Sequence, residues 1–309
     1  MNIIFMGTPD FAVPALKKLY QNHKISAVFT QPDKPKGRGY KLAPPPVKVV
    51  AQENETEIYQ PQSLKNNGEE YIDIIKNINP DCIVVAAYGK ILPKEVLDIP
   101  KYGCVNIHGS LLPKYRGAGP IQWAVLNDEK ETGITTMLMG EGLDTGDMLL
   151  KKSVKIGENE TAAELFDRLA DIGADLIVET LDELEKENII PEKQDENLSS
   201  YAPMLSKEMC RLDFSQPVRM VHKKICGLSD WPCAVTMLEG KRLKVYKSEI
   251  VSNVSPDSTP GEIVNEKDFS VACSDGIVRF TEIQAEGSKR MKTSDYLRGK
   301  PISKGTVLG

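Results

Sequence analysis

At 309 residues the chain is long for one hydrophobic core and sufficient for two domains. It holds no run of eighteen apolar residues, and Met1 leads directly into a strand-like segment without a basic leader, so an unexported, cytoplasmic protein without a membrane anchor is expected. The net charge of −5 is uneven: residues 207–309 carry 17 Lys and Arg against 13 Asp and Glu, a balance of +4, and the residues before them carry −9. That asymmetry hints weakly at a polyanionic partner.

The first half alternates apolar runs with amphipathic stretches. Asn2 to Met6 reads as a strand, and Gly7-Thr8-Pro9-Asp10 supplies a turn, a capping hydroxyl at Thr8, Pro at the first helical position and an acid at the second. That spacing predicts a helix through about Tyr20. Further strands are expected at Ile25 to Thr30, Thr56 to Tyr59, Cys82 to Ala87 and Cys104 to Ile107, with a helix ending over Tyr71 to Ile78. The unbroken apolar run from Cys82 suits a strand covered on both faces. Repeated strand–helix–strand order implies α/β architecture with a mostly parallel sheet, whose ligands bind beyond the carboxyl ends of the strands.

Gly133 to Met139 and Met148 to Val154 read as a strand pair flanking the loop Gly142-Leu143-Asp144-Thr145-Gly146-Asp147. Thr161-x-x-Glu164 is a capping box that opens a long helix with Leu165, Leu169, Ile172, Leu176, Thr180 and Leu184 on one face. Its acidic end is read as a solvated face, and residues 189–206 as a polar linker. Beyond Leu205, after a short helix near Val218 to Cys226, the pattern alternates like strands at 234–237, 243–246, 261–264, 270–273 and 277–280, which suggests a small barrel. The six cysteines (82, 104, 210, 226, 233 and 273) show no C-x-x-C spacing and are expected as reduced, buried thiols.

The chemistry concentrates in Asn106-Ile107-His108-Gly109-Ser110-Leu111-Leu112-Pro113 and, some thirty-five residues later, in the Asp144 loop. Asn106 and His108 are two apart, so on a strand end they share a face. An amide can hold an oxyanion, an imidazole can relay a proton, and Asp144 is placed to fix the imidazole tautomer and stabilise its charged form. The bland alternative for a lone histidine at a strand end is a structural role; His23 and His222 lack comparable neighbours. Gly117-Ala118-Gly119-Pro120 either presents backbone N–H groups to an anion or is simply a tight turn before the helix Ile121 to Leu126. Asp144-Thr145-Gly146 resembles an aspartic protease triplet, but a second triplet and an all-β chain are missing. No further ligands accompany His108 and Asp144 at zinc-site spacing, and neither G-x-G-x-x-G nor Walker A occurs. Between Gln31 and Lys48 lie Lys34, Lys36, Arg38, Lys41 and Lys48 with Asp33 as the one acid, interleaved with Gly37, Gly39, Tyr40 and Pro44-Pro45-Pro46; this long loop suits a nucleic-acid backbone or is a solvated loop.

On these motifs, together with Gly7-Thr8-Pro9-Asp10-Phe11 and Gln31-Pro32-Asp33, the chain resembles the methionyl-tRNA formyltransferase family over essentially its whole length. The resemblance implies a Rossmann-like formyltransferase domain over 1–188, a linker over 189–206 and a small OB-like β-barrel that binds tRNA over 207–309. It further implies transfer of a formyl group from 10-formyltetrahydrofolate to methionyl initiator tRNA, without a metal or an obligate protein partner. Asn106, His108 and Asp144 would be catalytic. Tyr88, Gly89, Ile91, Leu92, Ser110, Leu111, Leu112 and Pro113 would border the folate. Lys34, Lys36, Arg38, Lys41, Lys289, Arg290 and Lys292 would meet the tRNA. A sugar-nucleotide formyltransferase, the hydrolase part of a formyltetrahydrofolate dehydrogenase and a non-catalytic RNA-binding module remain as alternatives. The basic loop favours tRNA over the first two, and the intact triad disfavours the last.

Overall fold

The computed structural model describes residues 1–36, 41–66 and 68–309. The chain divides into two compact units. The first comprises residues 1–117, 133–154 and 166–201. It is built on seven strands: β1 (Asn2–Gly7), β2 (Lys24–Phe29), β3 (Ile58–Tyr59), β4 (Cys82–Ala86), β5 (Cys104–His108), β6 (Glu131–Leu138) and β7 (Met148–Lys155). They lie in the order β7-β6-β5-β4-β1-β2-β3. The five strands from β5 to β3 are mutually parallel, and β6 runs antiparallel to β5 with Asn106 opposite Met137 and His108 opposite Thr135. Every residue of β4 is buried, and Ile3 to Met6 of β1 have no exposed surface, as expected of central strands covered on both faces.

Helices α1 (Val13–Asn22), α2 (Pro46–Glu53), α3 (Glu69–Ile78), α4 (Lys94–Leu97) and α6 (Ala162–Glu185) connect or follow these strands; α5 (Pro120–Leu126) falls in the second unit. The start of α1 departs from expectation. A 3-10 turn over Asp10–Ala12 precedes it with no side-chain cap. The Thr8 hydroxyl instead donates to the Tyr88 carbonyl at 3.1 Å, because Thr8 leaves the sheet beside the end of β4 and finds an acceptor there. The long basic loop is likewise partly structured: Lys34–Lys36 pairs antiparallel with Lys41–Ala43, and α2 begins on Pro46, whose fixed φ suits a first helical position. The capping box at α6 forms as expected, with Thr161 N–H donating to Glu164 Oε2 at 3.0 Å and Glu164 N–H to Thr161 Oγ at 3.2 Å. Leu165, Leu169, Leu176 and Thr180 are buried. Gly173 lets α6 approach β5 closely: a Cβ there would lie 2.9 Å from Cγ2 of Ile107.

The second unit comprises residues 118–132, 155–165 and 202–309. Its sheet is antiparallel, with β8 (Ala234–Leu238), β9 (Lys241–Ser252), β10 (Ile263–Asn265), β11 (Ser270–Ala272) and β12 (Ile277–Ala285) in the order β8-β9-β12-β11-β10. The chain's last residues run from one sheet edge to the other. Thr306 O accepts from Ile263 N–H and Leu308 N–H donates to Gly261 O, both at 2.8 Å, while Met237 N–H and Gly309 O meet at 2.7 Å. This tail satisfies edge groups that an open sheet would leave unpaired. Helix α7 (Val218–Leu228) covers a core that includes Val245, Phe269, Phe280 and Ile283, with the rings of Phe269 and Phe280 5.3 Å apart; α8 (Thr293–Gly299) follows. Residues 118–132 and 155–165 join this unit through charge. Arg219 pairs with Asp128 and, at 2.8 Å, with Glu158, and the buried Lys223 donates to Glu158 O at 2.7 Å. All six cysteines are buried and unpaired. No helix among the described residues is long and apolar enough to cross a membrane.

Residues 189–206 do not form a free linker. Glu192 bridges Met148 of β7, Arg116 N–H donates to Ser200 O at 2.8 Å, and Ser200 Oγ accepts from Tyr115 N–H at 2.9 Å. Polar composition marked the stretch as irregular, but Glu192 and Ser200 tie it to the first unit.

Candidate active site

Three strand ends of the first unit converge on one carbonyl. The Tyr88 oxygen, just past β4, accepts from Thr8 after β1 at 3.1 Å and from Gln31 Nε2 after β2 at 3.0 Å. Next to this tie, β5 ends in Asn106 and His108. His108 is buried, and its Nε2 lies 2.9 Å from the carbonyl oxygen of Tyr115. A carbonyl only accepts, so Nε2 carries a hydrogen and Nδ1 is the nitrogen left to gain or lose a proton. Nδ1 faces Asp144, with Oδ2 at 3.7 Å. That distance exceeds a hydrogen bond, and the same oxygen accepts from Gly117 N–H at 2.8 Å. Tyr115, not Asp144, therefore sets the tautomer. Asp144 is left as the anion beside the protonatable nitrogen, placed to stabilise an imidazolium when one forms. The Asn106 amide is half-buried and makes no hydrogen bond to another described residue.

The segment after β5 is tied down by its own polar groups and by β6. Thr135 Oγ1 donates to Ser110 O at 2.7 Å and accepts from Leu112 N–H at 3.1 Å, and Ser110 Oγ donates to Lys114 O at 2.6 Å. Leu112 is buried with Met137 and Met148, while Leu111 and Pro113 are half-exposed. Among the residues expected at the folate, Tyr88 and Leu92 put their side chains into the core. Tyr88 reaches the strand ends through its carbonyl alone. Gly89, at φ +73°, and Ile91, 71% exposed, present the free surface. The Gly117–Pro120 turn offers less to an anion than its glycines suggest, since Gly117 N–H is taken by Asp144 and Gly119 N–H by Ala202 O.

The expected tRNA contacts are dispersed. Lys34 Nζ donates to Gln31 Oε1 at 2.7 Å, and Lys48 pairs with Asp33 at 2.8 Å, holding that carboxyl below its ordinary range. Lys36 and Lys41 oppose each other in the backbone pairing of these two short strands. Arg38 lies outside the described residues. In the second unit Lys289 and Lys292 are exposed, but Arg290 is committed internally. Its guanidinium meets Glu282 at 2.7 and 3.0 Å and Asp230 at 2.5 Å, and lies 4.1 Å from the centroid of the Tyr246 ring.

Sequence reading passed over Tyr115, Arg116, Thr135 and Gln194, and took Gln31 only as part of a motif; all five hold this region. Arg116 carried a signal, as a cation three residues past the Ser110–Pro113 run and just before Gly117. Gln194, in a polar stretch without periodicity, carried none. Arg116 is buried, forms a two-pronged pair with Glu196 at 2.8 Å on each oxygen, and donates from Nε to Gln194 at 2.9 Å. Glu196 first, and Asp144 after it, hold the guanidinium strongly in its charged form. No cluster of three His, Cys, Asp or Glu suited to a metal occurs among the described residues.

A mostly parallel sheet thus brings an amide, an imidazole and a carboxylate together at its strand ends, groups suited to acyl transfer. Residues 1–181 match the formyl transferase family model and residues 204–301 its C-terminal domain model. The chain thus belongs to the formyl transferase family, among the methionyl-tRNA formyltransferases, and is a transferase. It is 50% identical over its full length to the methionyl-tRNA formyltransferases of Caldanaerobacter subterraneus subsp. tengcongensis and Clostridium novyi, covering all of each. Among solved structures it is similar to an N-formyltransferase from Helicobacter canadensis in complex with folinic acid and dTDP-3-aminofucose. That match has a TM-score of 0.69 and 20% identity, covering 92% of this chain and 98% of the other. HypX from Aquifex aeolicus in complex with tetrahydrofolic acid matches with a TM-score of 0.64 and 17% identity, over 99% of this chain and 50% of HypX.

Proposed function

We propose that the first unit transfers the formyl group of 10-formyltetrahydrofolate to the α-amino group of methionine carried by initiator tRNA, with Asn106, His108 and Asp144 as the catalytic residues. The observation that carries this reading is the pairing of an unengaged Asn106 amide with a buried His108 whose Nδ1 faces a carboxylate at 3.7 Å. The strand-end surface suits a flat, amide-bearing heterocycle: Gly89 gives close backbone approach, Ile91 and Leu111 give apolar walls, and Pro113 closes one side. The formyl donor is consumed in the reaction and is written here as a co-substrate.

Asn106 donates from Nδ2 to the formyl oxygen, and His108, protonated at Nδ1, donates to the same atom, so charge developing there is held by two groups already in place. The neutral amine forms a C–N bond to the formyl carbon. Collapse breaks the bond to N10 of the folate, and the net proton passes from the amine to that nitrogen. Asp144 keeps the imidazolium favoured until the proton is delivered. Lys34, Lys36, Arg38 and Lys41 hold the acceptor end, and the 207–309 domain grips the stem backbone through Lys289 and Lys292.

The test supplies the purified protein with 10-formyltetrahydrofolate and methionyl-tRNA in initiator and elongator forms. Formylmethionine on the initiator form is the expected product. Formylation of a nucleotide-linked amino sugar instead, or formate released without an acceptor, overturns the reading.

A further inference from the structure

The segment 194–200 touches both halves of the site. Gln194 donates from Nε2 to the carbonyl oxygens of Asp144 and Gly146, each at 2.8 Å, and accepts from Arg116 at 2.9 Å. Both amide hydrogens and the amide oxygen are therefore engaged, which fixes the side chain's plane. Two residues further along, Glu196 holds Arg116 in turn through its two-pronged pair. Ser200 accepts from Tyr115 N–H through its hydroxyl and from Arg116 N–H, at 2.8 Å, through its carbonyl. Tyr115 and Asp144 both lie in the left-handed region, at φ +59° and +52°. Such backbone is strained in a non-glycine residue and persists only where neighbours over-determine it. Here the strap supplies neighbours to both, through Ser200 at Tyr115 and Gln194 at Asp144, beside the Gly117 N–H that holds the Asp144 carboxylate; the two residues are the acceptor for His108 and the carboxylate opposite it.

We propose that Gln194, braced by Arg116 and Glu196, is a positioning residue of the formyl transfer: it sets the Asp144 backbone so that the carboxylate faces His108 Nδ1. This inference rests on the proposed formyl transfer.

Gln194→Ala, Gln194→Glu and Glu196→Gln test it in the full chain. Gln194→Glu keeps an acceptor for Arg116 but has no donor for the Asp144 and Gly146 carbonyls, and it adds an anion. Its kcat is expected to fall about 10- to 100-fold, as for a small misplacement of a reacting group, with the folate KM within about twofold. Glu196→Gln loosens the brace on Arg116, so kcat is expected to fall in the same direction by a smaller factor, about 3- to 10-fold, with the folate KM within about twofold. Glu196 is 70% exposed at its side chain, so this variant folds even where a Gln194 variant does not. A kcat within about twofold of wild type in both Gln194 variants overturns the positioning role. So does a loss of kcat matched by an equal rise in KM and a lowered Tm, which marks a merely structural strap. A wild-type protein that formylates no methionyl-tRNA overturns the function itself instead.

Discussion

His108 donates from Nε2 to the backbone carbonyl of Tyr115 at 2.9 Å, across a turn in which Tyr115 sits at φ +59°. The contact orients the ring from behind and leaves Nδ1 facing Asp144, so the imidazole is aimed by main chain rather than by a carboxylate.

The triad separates into distinct losses. His108→Ala and Asp144→Ala are each expected to lower turnover by about 10²- to 10⁴-fold, and Asn106→Ala by about 10²- to 10³-fold, the range for removing acid–base or oxyanion assistance. Folate affinity, measured by fluorescence titration, stays within a few-fold in all three. Near-normal turnover in His108→Ala would remove the assignment.

Binding to tRNA divides the carboxy-terminal cations. Lys289→Gln and Lys292→Gln are expected to weaken binding and to flatten the slope of log K against log salt by about one unit for each phosphate no longer neutralised. Arg290→Gln leaves that slope unchanged and lowers Tm, because its charge is spent on Glu282 and Asp230. A salt series of filter-binding measurements, beside thermal melts, distinguishes the two; a slope change in Arg290→Gln shows that the pairing opens for the nucleic acid.

Close packing at Gly173 makes a helix-favouring change harmful. Gly173→Ala should gain up to about 1 kcal/mol of helix propensity, yet the added methyl meets the branched side chain of Ile107 at 2.9 Å, one residue from the histidine. A lowered Tm with reduced kcat is the expected balance, since overpacking costs about 1–3 kcal/mol. A raised Tm would show that α6 can move away freely.

Acid destabilisation should involve His222 of α7. Its ring is fully buried, with Nδ1 2.9 Å from Ser248 Oγ and Nε2 3.1 Å from Glu158 O, and burial lowers its pKa, aided by Lys223 and Arg219 and opposed by Glu158. With the folded pKa below the unfolded value near 6.5, the unfolded chain binds the extra proton. The contribution is therefore complete above about pH 6.5 and is lost as pH falls through the folded pKa. Melts from pH 8 to 5 should show a shallower decline in His222→Gln than in wild type; parallel declines would assign the loss to other groups.

Much of the first unit is legible in sequence because its signals are local. Apolar runs such as Ile3–Met6 and Cys82–Ala86 specify buried strands, Thr161 and Glu164 start their helix three residues apart, and Asn106 and His108 share a strand end by simple alternation. The remaining features depend on partners far along the chain. Arg116 finds Glu196 eighty residues away, Gln194 reaches Asp144 over fifty, and Gly309 closes on Met237 across the sheet edge. Periodicity reports which face of an element is apolar. It carries no record of which polar group will meet a given carbonyl once the chain has folded, so the imidazole tautomer, the bracing of Asp144 and the neutralisation of Arg290 were decided by tertiary structure alone.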